Sequence, residues 1–179
     1  MADSNITKKA LANSLKELMN EKAFEKINVG DICEKCDMNR KSFYYHFRDK
    51  YDLVNWIFDV EFITVAHTRN YKDAWELLGA MCNFLYENRS FYRKALCIKG
   101  QNSFSDHFKE LITPAIVNRI QRVSDAGIMD FQTEFMADAV VIALQKWLVE
   151  NSNIGPEEFV RQIKLSIKYI VVQYKDIEV

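Results

Sequence analysis

Between Asn28 and Lys50 the chain gathers most of the side chains that could do chemistry. Arg40, Lys41, Arg48 and Lys50 stand against the single carboxylate Asp49, so residues 39–50 carry a net +3. Asn39, Ser42, Tyr44, Tyr45 and His46 lie among them. A guanidinium can pair bidentately with the edge of a guanine, and lysines and hydroxyls neutralise or hydrogen-bond phosphates. Cys33-Glu-Lys-Cys36 offers a second chemistry, because two thiols three residues apart can ligate a metal or cycle as a dithiol. A tetrahedral metal site needs two further ligands, and no second pair has suitable spacing. A catalytic dithiol expects a strand-helix-strand setting, and none is legible here. Both cysteines therefore read as small buried hydrophobes, as do Cys82 and Cys97. His67 and His107 are single histidines. No Ser-His-Asp order, carboxylate pair or glycine-rich phosphate loop is present, so we expect no enzyme, no cofactor and no metal.

The elements that must hold Arg40–Lys50 are helices. With five glycines and two prolines in 179 residues, the chain lacks the punctuation of sheets and long loops. Apolar residues make up 49% and charged residues 27%, which excludes disorder as the main state. The net charge of −1 excludes a wholesale polycation. The charge is uneven: residues 1–50 carry ten cations against eight carboxylates, and 51–179 carry fourteen against seventeen. The N-terminus is polar, and no apolar run approaches the length of a membrane span. We expect a cytoplasmic protein that does not meet a membrane.

Leu11, Leu15 and Leu18 place a first helix over about 7–20. Asn28, with Asp31 three residues on, opens a second over 29–36. Asp37 and Met38 make a tight turn, and Asn39 caps a third over 40–47. Asp49 then opens a fourth, running to about His67. Two short helices joined by a three-residue turn are the spacing of a helix-turn-helix unit. In such a unit the first turn of the second helix points at base edges in the major groove. Arg40, Lys41 and Ser42 occupy that turn. Phe43 and Phe47, four apart, are assigned to the core. Tyr44 and Tyr45 cannot both join that face, so at least one is exposed.

The segment Asn28-Val-Gly-Asp-Ile-Cys, the Asp37-Met38 turn, Phe43-Tyr-Tyr-His-Phe47 and the following Lys50 resemble the DNA-binding domain of TetR/AcrR transcriptional regulators. The resemblance implies an all-α fold: an N-terminal three-helix DNA-binding domain over residues 1–50, with its helix-turn-helix at about 28–47. A helical ligand-binding and dimerisation bundle follows over 51–179, making about nine helices in all. It implies DNA contacts for Lys41, Ser42, Tyr44, Tyr45, His46 and Lys50, and the start of the same helix adds Asn39 and Arg40 as candidates. Two positions depart from the pattern. Gly30 replaces an often basic residue, which removes a phosphate contact. Asp37 replaces the turn glycine, and aspartate tolerates the left-handed conformation better than most residues.

Five more helices are expected at roughly 72–87, 90–98, 102–124, 131–151 and 156–174, with Gly127, Asn153, Gly155 and Pro156 punctuating the last three. The helix at 131–151 is apolar over a wide arc (Phe135, Met136, Ala139, Val140, Ile142, Leu144), and so is that at 156–174 (Phe159, Ile163, Ile167, Ile170, Val171). Such width implies burial on a second side, most simply in a homodimer. Trp75, Met81, Phe84, Phe91, Phe104, Phe108 and Trp147 are candidates to line a cavity for a small apolar effector. The run from Phe84 to Leu96 is similar to the C-terminal domain of a TetR subgroup that includes activators of dihydroxyacetone kinase operons, which implies a protein co-regulator instead. The reading is a homodimeric regulator on a near-palindromic stretch of double-stranded DNA, acting as a repressor released by an effector. The alternative is an activator or interaction module controlled by a protein partner.

Overall fold

The computed structural model describes residues 2–100, 102–121, 130–150 and 153–174. Among them the architecture is all-α, nine helical rods with no strand. Helix α1 spans Ala2–Glu21 and a 3₁₀ turn follows at Phe24–Lys26. The short helices α2 (Val29–Lys35) and α3 (Arg40–His46) come next. The rod α4 begins as Lys50–Phe58, passes through a π-helical turn at Asp59–Ile63 and closes as Thr64–His67. The remaining helices are α5 (Ala74–Glu87), α6 (Arg89–Ala95), α7 (Phe104–Gln121), α8 (Asp130–Val149) and α9 (Pro156–Tyr174).

The caps fall where the side chains dictate. Asn28 Oδ1 accepts from the Asp31 amide while Asp31 Oδ2 accepts from the Asn28 amide, each at 3.0 Å, which closes a capping box on α2. Asp49 Oδ1 takes the amides of Tyr51 and Asp52 and so starts α4. Asp73 does the same for Trp75 and Glu76 on α5. The α2–α3 turn is sharp because Asp37 adopts φ +54°, the left-handed conformation expected of a residue in the glycine position.

Helices α1, α2 and α3 pack on one another, and α4 packs on α1. Leu11, Leu15, Ile32, Phe43 and Leu53 are all fully buried there. The C-terminal helices pair as α7 with α8 and α5 with α9, with α6 lying against both α8 and α1. The buried side chains form one continuous cluster from Leu11 to Val160. Phe58 is its hub: its ring meets those of Phe62, Phe84, Tyr92, Phe104 and Phe108 at centroid distances of 5.3–6.3 Å.

Three differences from the sequence reading stand out. Helix α1 starts five residues before Thr7. The fourth helix does not run to His67 as a uniform α-helix, because five residues take a π turn, an arrangement that apolar periodicity does not encode. Helix α6 ends at Ala95 rather than near residue 98. Gly127 and the side chains of Ile170 and Val171 lie outside the described residues.

Removing the Phe58 ring deletes contacts to five neighbours at once. Phe58→Ala is expected to lower the unfolding free energy by about 3–5 kcal/mol in chemical denaturation, and Phe58→Leu by distinctly less.

Candidate nucleic-acid interface

Helix α3 divides its residues between two faces. Phe43 is fully buried, and Phe47, which closes the helix, is 3% exposed. The Phe47 ring rests edge-on against Trp56 of α4 at 5.6 Å. On the other side Arg40, Lys41, Tyr44 and Tyr45 are all exposed. They lie at positions i, i+1, i+4 and i+5, which is one continuous helical surface. Tyr44 is 59% and Tyr45 83% exposed, so both tyrosines leave the core. Two exposed aromatic rings flanked by two cations have no use in the interior of this chain. They suit a polyanion with flat edges.

Asn39 and Ser42 organise the start of that surface. Asn39 Oδ1 accepts from the Ser42 amide at 2.8 Å and from Ser42 Oγ at 3.2 Å. The carbonyl side of Asn39 is thus committed to capping, and its amide nitrogen remains for an outside acceptor. His46 is half-buried, with its ring edge-on to Tyr45 at 4.9 Å.

Two residues differ from their sequence reading. Lys50 Nζ does not project outward. It donates to the carbonyls of Phe24 and Ile27, both at 2.7 Å, and sits 4.3 Å from the centre of the Phe24 ring. Burial lowers its pKa from the ordinary lysine value. Lys50 therefore staples the 24–27 turn to the head of α4, where the sequence reading expected a phosphate contact. Gly30 is the other. A Cβ there would stand 2.5 Å from Arg40 Nη2 and 2.8 Å from Asn28 Oδ1. Its missing side chain makes room for the Arg40 guanidinium, which lies back over the first turn of α2. No spacing rule links positions 30 and 40.

The seven candidates for an effector cavity are packed against other side chains. Met81, Phe91, Phe104, Phe108 and Trp147 are buried, and Phe84 touches Phe58, Phe62 and Tyr92. Trp147 stacks on Phe159 at 4.4 Å and donates its indole N–H to the Ile154 carbonyl at 3.0 Å. Trp75 is half-buried with Lys164 Nζ 5.3 Å above its ring. These rings contact one another, where the sequence reading expected them to line a cavity for an effector. Two open clefts lie elsewhere, one between α2 and α3 and one between the end of α1 and α6. Cys33 and Cys82 are buried, Cys36 is half-buried with its Sγ donating to the Ile32 carbonyl at 3.3 Å, and Cys97 is exposed, contrary to the expectation of a buried hydrophobe. Among the described residues no helix is long and apolar enough to cross a membrane.

A tight helix pair whose second member turns cations and aromatic rings outward, joined to a helical bundle, defines a helix-turn-helix regulator. Residues 13–57 match the profile described as "Bacterial regulatory proteins, tetR family", and residues 73–169 match "Transcriptional regulator C-terminal region" of the same family. The chain belongs to the TetR family and is a DNA-binding transcriptional regulator, not an enzyme. It is 29% identical over 140 residues to the HTH-type dhaKLM operon transcriptional activator DhaS of Lactococcus lactis subsp. lactis (strain IL1403), covering 76% of this chain and 74% of that one. Among solved structures, the dihydroxyacetone kinase operon activator DhaS matches with a TM-score of 0.61 at 24% identity, over 97% of this chain and 99% of that one. A TetR transcriptional regulator from Streptococcus agalactiae 2603V matches with a TM-score of 0.70 at 19% identity, over 90% and 93%. At these identities the structural matches speak for the fold.

The placement of Lys50 yields a prediction that separates folding from binding. Lys50→Met should lower the unfolding free energy by about 1–3 kcal/mol, because two carbonyls lose a charged donor. The salt dependence of DNA binding should stay as it was.

Proposed function

We propose that the chain acts as a homodimer on a near-palindromic operator and activates transcription together with a protein partner. The observation that carries DNA reading is the outward row of α3, Arg40, Lys41, Tyr44 and Tyr45, against its buried Phe43 and Phe47. Arg40 reads a base edge, and Lys41, Ser42 and Tyr44 grip phosphates. Tyr45 sets its ring against a base or sugar. Asn39 and His46 complete the contact through the Asn39 amide and the His46 ring. The functional division falls near residue 50, with the reading head before it and the control bundle after it, and the protein works in the cytoplasm, where its DNA is.

What supports a dimer is the outer surface of the last two helices. Phe131, Phe135, Ile142 and Val149 on α8 are 41–74% exposed, and so are Leu165 and Tyr169 on α9. Phe135, Ile142 and Val149 recur every seven residues, which draws one stripe along α8. A second copy covers such a stripe and sets the two α3 helices about 34 Å apart, one turn of DNA. What supports a protein partner over an apolar effector is the mutual packing of the bundle rings, which leaves control to the surface. What supports activation over repression is the printed role of the Lactococcus relative.

Selection of bound fragments from a random duplex pool tests this reading. A palindrome should emerge, with affinity falling as salt rises. Arg40→Ala should relax the preference at one base pair per half-site, at a cost of about 1–3 kcal/mol, whereas Lys41→Ala should weaken all sequences alike and reduce the salt slope by about 1. Unchanged sequence preference in Arg40→Ala would sink its assigned role. Phe135→Glu combined with Ile142→Glu should shift the sedimenting species from dimer to monomer.

A further inference from the structure

We propose that Glu61 is a positioning residue for DNA binding: its carboxylate ties the reading head to the bundle and thereby sets the separation of the two α3 helices. The inference rests on the dimeric reading above. Glu61 lies inside the π turn of α4, the rod shared by both parts of the chain. One of its oxygens, Oε1, pairs with Lys16 Nζ on α1. The other, Oε2, accepts from the Tyr92 hydroxyl on α6 at 3.1 Å. Three elements therefore meet on one carboxylate. Lys16 adds a second tie to α6, with its ammonium 5.3 Å from the centre of the Phe91 ring.

The Tyr92 side is built for this contact. The residue is fully buried, and its ring is fixed by Phe58, Phe84, Phe91 and Phe104. Burial, with Glu61 beside it, pushes its phenol far above the ordinary value, so the hydroxyl stays protonated and donates. A buried hydroxyl with one fixed partner is a directional contact. The Lys16–Glu61 pair is different: the two side chains keep 26% and 35% of their surface in water. Water can replace that half of the tie without opening the ring core. A movement of α6 or of the π turn thus reaches α1 through Glu61. Because α1 packs on α2 and α3, it reaches the reading helix too.

The test measures binding of the full-length protein to duplexes that carry the selected half-site. One duplex has a single half-site, and a series has two half-sites at different spacings. Tyr92→Phe removes the hydroxyl alone, and Glu61→Gln removes the charge that holds Lys16. Thermal melting reports whether each is folded. If Tyr92→Phe does not fold, Glu61→Gln, whose group is partly exposed, carries the test. Wild type should prefer one spacing. Each variant should bind the single half-site within about twofold of wild type, yet lose about fivefold or more of its preference for the best spacing. The double variant should lose little more than the larger single loss, because both contacts share one carboxylate. An unchanged spacing preference in folded variants overturns the proposal, and so does an equal loss on every duplex, single half-site included. A wild type with no spacing preference overturns the dimeric reading itself, and is recognised before any variant is measured.

Discussion

Helix α4 has to be buried on two sides that are not in register. Near its start Trp56 receives the Phe47 ring and the Lys8 ammonium, from α3 and α1. Two residues further on, Phe58, and then Phe62, face the rings of α5, and Phe58 also those of α6 and α7. A uniform α-helix advances about 100° per residue and keeps one stripe inward. The π turn at Asp59–Ile63 changes that phase by roughly one residue. Across it Phe58 and Phe62 stack at 5.4 Å, while Asp59 turns to His107 and Glu61 to Lys16 and Tyr92.

Consequently the seam along α4 is polar at its edges and aromatic at its centre. Tyr51, Asn55 and Asp59 recur every four residues on one face. Tyr51 lies 3.5 Å from where a Cβ on Gly100 would be, Asn55 donates to the Asn102 carbonyl at 3.3 Å, and Asp59 meets His107 Nε2 at 2.7 Å. The Asn55 side-chain oxygen is buried without a partner. An apolar seam would hold more firmly, since an unpaired buried oxygen costs about 1–3 kcal/mol. The rings supply the cohesion and the polar edges supply direction. Such a division suits two parts that must keep a set orientation and still move.

The local rules read well from the sequence. Asn28, Asn39 and Asp49 cap the helices they were expected to cap, and Asp37 takes the turn conformation. The burial of Phe43 and Phe47 follows from helical period, which required at least one of the two tyrosines to be exposed. What the sequence hid depends on contacts between distant residues. Lys50 bonds to carbonyls 23 and 26 residues earlier, and a lysine beside a helix start looks the same whether it faces solvent or a turn. Glu61 and Tyr92 are 31 residues apart, with no periodicity connecting them. The large side chains of the bundle carried the right composition for a cavity and for a core. Only their mutual distances distinguish the two.

Gly30 shows how a departure from a family pattern can mislead when it is taken one position at a time. Read alone, it is a missing phosphate contact. Beside Arg40, it is the space in which a guanidinium lies. Glycine inside a helix costs about 1 kcal/mol relative to alanine, and α2 is only seven residues long. An alanine here would gain that propensity but press on both Arg40 and the Asn28 cap. Helices α2 and α3 therefore meet at this corner, and a larger residue at position 30 would have to move the Arg40 guanidinium aside.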